Sequence, residues 1–200
     1  MATEETFVPF AHGGRTTTRS VRSTWIGASV NTLRRAGLFD AYLQQLPPES
    51  HETILTSIAG TWLPISVGLQ HYAACDRLGL STSRVLEIGQ LVSMAAQGTM
   101  LDFVLRLAKG AGVTPWTIFA QYPRTWSRIF EGGDLAIVKV GPKEARIEFV
   151  GCLCARSHYF RVGIRGVVTN MNARFCTKGY VSEITRLCND TTIVLRYAWA

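Results

Sequence analysis

What the chain lacks narrows its function first. It has no Walker-type loop, no G-x-G-x-x-G after a strand-like run, no H-E-x-x-H and no G-x-S-x-G. Phosphate cradling, dinucleotide binding, zinc peptidase and serine hydrolase chemistry therefore have no signature here. No run is apolar enough to cross a bilayer, because the most apolar stretch, residues 85–107, is broken by Glu87, Gln90, Gln97, Asp102 and Arg106. Internal repeats are absent. A secretory leader is not evident, and the five cysteines are an odd number, so reduced thiols in a cytoplasmic protein are expected. Histidine is scarce: His12, His51, His71 and His158 are all there is.

What remains is enough for one sizeable core: 200 residues with 47% hydrophobic content and a formal charge of +7. Such a charge speaks to association and solubility rather than fold. Residues 1–24 are polar, basic and poor in core formers, which predicts a flexible basic arm, with Phe7, Val8 and Phe10 able to latch onto the body. A single domain is expected over residues 25–200.

Hydrophobic period divides that domain. Ile26, Val30, Leu33, Leu38, Tyr42 and Leu46 recur at roughly helical spacing, with Gly37 as a break. A second helix is expected through Ile54, Ile58 and Trp62 to Pro64, and a third over residues 67–78, ending at Gly79. A long helix opens at Ser81 or Thr82 and stops near Lys109 at "KGAG", and a shorter one lies within residues 116–130. "DLAIVKVG" and "ARIEFVG", separated by "GPKE", predict a hairpin. Phe160, Ile164, Val167, Val168, Met171 and Phe175 then share a helical face, and two further strands close the chain. The expected class is α+β: a helical half followed by a β-β-α-β-β antiparallel sheet.

That layout, with "LRRAGL", "QYPRTW", "YFRVGIRGVV" and the closing strand ending in Trp199, resembles a myxobacterial paralogous family of uncharacterised domains. That family is similar to the superfamily holding the haem-nitric-oxide/oxygen-binding (H-NOX) domains, the 4-vinyl reductase-type domains and the Bet3-like transport-particle subunits. In H-NOX domains a proximal histidine precedes a "YP" pair, and a Tyr-x-Ser-x-Arg motif grips the haem propionates. Tyr122 and Pro123 match the pair, but "AGVTPWTIFAQ" before them holds no histidine. Cys152, Cys154 and Arg156 stand where Tyr, Ser and Arg would be, so only Arg156 could still clamp an anionic group.

The decapeptide "CLCARSHYFR" concentrates chemistry at residues 152–161. Read as a strand, its C-x-C would point both sulfurs to one face, but the second cysteine pair that structural zinc needs is missing. Buried thiols, a metal and a Cys/His nucleophile are the alternatives, with no metal or cofactor expected. Trp116, Phe119, Tyr122, Trp126 and Phe130 crowd one segment, as either core or the wall of a ligand cleft. Arg156, Arg161 and Arg165 form a basic rim or a solvated face, and Asp102 with Arg106 a helix pair. His71, in mid-helix, is the remaining candidate for a haem ligand.

The resemblance implies a non-enzymatic sensor or regulatory domain for a small, partly apolar ligand, neutral or anionic, with Arg156, Trp116, Phe119, Tyr122 and Trp126 at its site. A module for homodimerisation or partner docking is the alternative. Nucleic-acid binding ranks third, because "RLGLSTSRVLEIGQLVS" offers no basic, groove-facing helix.

Overall fold

The computed structural model describes residues 4–96, 114–173 and 175–200. The end of the expected long helix, its "KGAG" stop and the Asp102–Arg106 pair lie outside the described residues.

The helical half comprises α1 (Ser23–Arg35), α2 (Phe39–Gln45), α3 (Pro48–Thr56), α4 (Ile65–Asp76) and α5 (Thr82–Ala96). Gly37, at φ +71°, makes the break between α1 and α2, a backbone state that costs glycine little. Pro48 occupies the first turn of α3, where its missing N–H leaves no gap. Two short helices follow, α6 (Pro115–Phe119) and α7 (Tyr122–Ile129), then α8 (His158–Asn172). Ser157 caps α8 by accepting the Phe160 amide at 3.1 Å.

The sheet strands are β1 (Glu5–Val8), β5 (Asp134–Gly141), β6 (Glu144–Val150), β7 (Gly179–Glu183) and β8 (Ile193–Trp199). They run antiparallel in the order β1-β5-β6-β8-β7. Alternation in β6 buries Ala145, Ile147 and Phe149 on one face, as a half-buried strand requires. A smaller antiparallel sheet joins β3 (Trp62–Pro64), β2 (Ser20–Arg22) and β4 (Phe130–Glu131). The mixed helical and antiparallel architecture is the α+β class expected from the period.

Residues 4–24 do not form a separate arm. β1 pairs with β5, β2 sits at the centre of the small sheet, and the Asp134 carboxylate accepts the amides of Ala11, His12 and Gly14 at 3.0, 2.7 and 3.1 Å. Of the expected latch residues, Phe7 packs its ring 5.1 Å from that of Trp116. The segment is held by backbone groups, which composition does not register.

Two other expectations give way. α3 ends at Thr56, Ile58 is 76% exposed, and Trp62 belongs to a strand. The helical spacing of Ile54, Ile58 and Trp62 is interrupted by Gly60 at φ +85°, and Ser23 fastens the turn by donating to the Ile58 carbonyl at 2.8 Å. The "CLCAR" run is not a strand either. Gly151 turns the chain at φ +66°, and Leu153–Arg156 is a 3-10 helix with both thiols buried.

α5 and α8 cross closely because they meet at glycines. A Cβ at Gly89 would fall 2.2 Å from the Gly163 carbonyl oxygen, and one at Gly166 would fall 2.2 Å from that of Leu86. Gly166→Ala should therefore cost about 1 to 3 kcal/mol of net stability through overpacking, although alanine gains about 1 kcal/mol in intrinsic helix propensity. Urea denaturation that shows the variant equal to or above wild type would contradict this close crossing.

Candidate functional site

Trp25 is where the helical half meets the rest of the fold. It is buried, and its indole Nε1 donates to the Tyr72 hydroxyl at 3.0 Å. A small cavity lies on each side of it. The first, among α1, α4, α5 and α8, offers about 30 Å³ to the centres of water-sized molecules and is bounded by Ser29, Tyr72, Ile88, Gly89, Tyr159 and Gly163. The second is of the same size, lies toward the sheet, and is bounded by Tyr122, Trp126, Phe130, Phe149 and Met171. Trp25, Ile164 and Val167 wall both cavities.

The aromatic segment is divided between roles. Tyr122 and Trp126 line the second cavity. Trp126 is fixed by donating to the Gly132 carbonyl at 3.1 Å, and the Tyr122 hydroxyl receives the Asn172 amide at 2.6 Å. Phe119 is fully buried in an edge-on cluster with Trp116, Tyr122 and Tyr197, and Trp116 donates to the Pro142 carbonyl at 3.1 Å. Trp116 and Phe119 border neither cavity.

Arg156 lies elsewhere. Its side chain is 65% exposed and faces the still more exposed Asp190 at 3.9 Å. Arg161 is engaged by the Glu183 carboxylate, so the three arginines do not converge on one anion site. An exposed pair of this kind contributes little, because solvent screens it and two long side chains must be held. Arg156→Ala should change the unfolding free energy by less than about 0.5 kcal/mol. A larger loss in a denaturant titration would show a contact that this geometry does not provide.

His71 is fully buried on α4, with Nδ1 2.8 Å from the Tyr42 hydroxyl and Nε2 3.0 Å from Ser29 Oγ. Cys75 Sγ lies 3.8 Å from Nε2. Burial pushes the imidazole down to about 3, so it is neutral at ordinary pH. Both nitrogens are occupied by hydroxyls, and the ring borders neither cavity. Burial also pushes up the Tyr42 hydroxyl and the Cys75 thiol, which leaves this cluster uncharged. At the other thiol pair, Cys152 as hydrogen-bonding neighbour and then burial drive Cys154 upward, away from a thiolate nucleophile. Among the described residues no three His, Cys, Asp or Glu side chains are grouped to hold a metal.

Trp25, Tyr72 and Tyr159 escape sequence reasoning. The strongest available signal was the "YF" inside "CLCARSHYFR": Tyr159 and Phe160 both border the first cavity, while Arg156 in the same run does not.

No family model matches the chain, and no curated protein matches it. Solved structures do. An Fe(II) unliganded H-NOX protein mutant from K. algicida aligns with a TM-score of 0.63 at 9% identity, over 90% of this chain and 96% of that one. A structure from a study of haem distortion in the H-NOX family gives 0.60 at 13%, over 89% and 94%. An oxygen-binding H-NOX domain related to soluble guanylate cyclases gives 0.57 at 12%, over 89% and 94%.

The described residues do not fit haem. A cofactor of that size needs a pocket of several hundred Å³, against about 30 Å³ on either side of Trp25. The one buried histidine has both nitrogens bound to hydroxyls, and the arginine that would meet a propionate faces solvent. The chain has the H-NOX fold, and among the described residues its own aromatic side chains leave only small spaces beside Trp25.

Proposed function

We propose that the protein is a non-enzymatic sensor or regulatory domain that uses the H-NOX fold without haem to bind a small, largely apolar molecule. The observation that carries this reading is the pair of apolar cavities sharing Trp25, Ile164 and Val167 where the helical half meets α8 and the sheet. A guest there would touch α1, α5 and α8 together. Occupancy would thus bear on how the two halves sit against each other, which a regulatory domain needs. Arg156, at the surface, contributes no anionic subsite to these cavities, so the ligand is neutral in this reading.

Native mass spectrometry combined with an absorption spectrum, on protein purified from its own host, tests it. A bound small organic mass without a Soret band is the expected result. Stoichiometric haem would overturn it.

The interaction-module reading also has an observation in its favour. Leu55, Leu91 and Met94 are exposed along grooves beside α1, and Ile58 stands exposed just beyond α3. The same spectrum reports the oligomeric state, and a dimer without any bound small molecule would put this second reading first.

A further inference from the structure

Building on the ligand-sensing reading above, we infer that the first cavity is a binding site for a neutral molecule of about two to four heavy atoms carrying one hydrogen-bond acceptor, held by the hydroxyl of Tyr159. Short nitriles, aldehydes, ketones and alcohols are the class that fits.

Size comes from the volume. A single water needs roughly 10 to 15 Å³ measured as positions for its centre, and this cavity offers about 30 Å³. About two to four heavy atoms are accommodated on that measure. Polarity comes from Tyr159, which is 5% exposed and whose hydroxyl, though Ser29 and Cys75 are its polar neighbours, makes no hydrogen bond of normal geometry among the described residues. The hydroxyl lies beside Ser29 and Cys75, and Ser29 borders the same cavity, which sets the unused O–H at its wall. A buried hydroxyl without a partner forfeits its hydration, and a guest that accepts from it restores what burial removed.

The preference for a neutral guest follows from the surroundings. The imidazole of His71 is neutral, and burial drives the Tyr72 and Tyr159 hydroxyls and the Cys75 thiol away from ionisation. Among the described residues no charged side chain borders the cavity to compensate an ion. The remaining wall is apolar: Ile88, Val92, Phe160 and Val167. Gly89 and Gly163 supply backbone where side chains would fill the space, and a Cβ at Gly163 would meet no atom within 4 Å.

The experiment uses acetonitrile, a three-atom acceptor, and xenon, which cannot accept a hydrogen bond, with the Gly89 and Gly163 amide resonances as reporters. In wild type both probes should shift these resonances saturably. Tyr159→Phe should weaken acetonitrile about three- to tenfold while leaving xenon unchanged, as loss of one hydrogen bond predicts. Its melting temperature should stay close to or exceed that of wild type, since the hydroxyl it removes makes no hydrogen bond of normal geometry. Gly163→Ala, which adds one methyl at the wall in a helix that favours alanine, should weaken both probes.

No saturable shift in wild type, or equal weakening of both probes by Tyr159→Phe, overturns the site. A larger ligand found by native mass spectrometry together with a negative titration would remove this site and keep the sensor reading. Acetonitrile binding with no natural ligand detected would keep the site and remove the sensor reading.

Discussion

Asp134→Ala should lower the unfolding free energy by about 2 to 4 kcal/mol, since hydrogen bonds to an ionised group are each worth about 1.5 to 3 kcal/mol and are not additive when they share one acceptor. The carboxylate accepts the amides of Ala11, His12 and Gly14, and also that of Leu135 at 3.0 Å. Removing it orphans three donors of a segment that has few apolar anchors of its own. Burial alone would raise this carboxyl, but the four backbone donors outweigh that and hold it below the ordinary carboxylate range. With the folded-state value depressed, the stabilisation is present above the unfolded value and is lost as pH falls through the folded one. Hydrogen exchange should show residues 11–18 losing protection in the variant before the β5–β6 hairpin does. Unchanged exchange there, or an unchanged denaturation midpoint, would mean that the N-terminal segment is held by β1 and β2 alone.

The same clamp reaches the interior. Asp134 opens β5 next to Gly132 and Gly133, and Trp126, a wall of the second cavity, hydrogen-bonds to the Gly132 carbonyl. A Cβ at Gly133 would come within 3.2 Å of the Trp126 ring, so the turn and the indole are fitted to each other. Thr16 adds a hydroxyl bond to the Gly133 carbonyl at 3.1 Å, and Thr18 receives the Leu153 amide on Oγ1 at the same distance. The strap of residues 11–18 thus buttresses the edge of the cavity-bearing core from outside.

This division explains what could be read in the sequence. Segments that bury a regular apolar face were legible: α1 and α2 around Gly37, α4 before Gly79, the β5–β6 hairpin and the Phe160-to-Met171 face of α8. Each repeats at the period its backbone imposes. The strap was not legible, because it is held by amides, hydroxyls and one carboxylate rather than by a stripe of side chains. Trp62 misled for the opposite reason: its spacing from Ile58 is helical, but Gly60 turns the backbone between them.

At the site, Tyr122 and Trp126 were visible as aromatic density. Trp25, Tyr72 and Tyr159 were not, since a cavity among four helices belongs to their packing and not to any one run. Arg156 shows a further limit. A matched motif spacing fixes a position along the chain, but the turn at Gly151 and the 3-10 helix after it direct the side chain outward.

Acid should destabilise the protein through His71 before its carboxylates protonate. Burial lowers the imidazole from an ordinary 6.5 to about 3 in the folded state. The unfolded chain therefore binds the extra proton first as pH falls below about 6.5, and stability drops by up to about 1.4 kcal/mol per pH unit across that window. Between pH 6.5 and 4.5 this amounts to roughly 2 to 3 kcal/mol, a large part of a typical domain's net stability of about 5 to 15 kcal/mol.

His71→Gln isolates the effect. It removes the titration while leaving an amide to meet the Tyr42 and Ser29 hydroxyls, so at pH 7 it should cost about 1 to 3 kcal/mol through imperfect hydrogen bonding. Urea titrations at stepped pH should then show the gap between wild type and variant narrowing by about 2 kcal/mol or more from pH 6.5 to 4.5. A gap that stays constant would mean that the imidazole titrates alike in both states and is hydrated in the native protein. That result would withdraw its assignment as a neutral, doubly hydrogen-bonded core residue, and with it one argument for an uncharged cavity beside it.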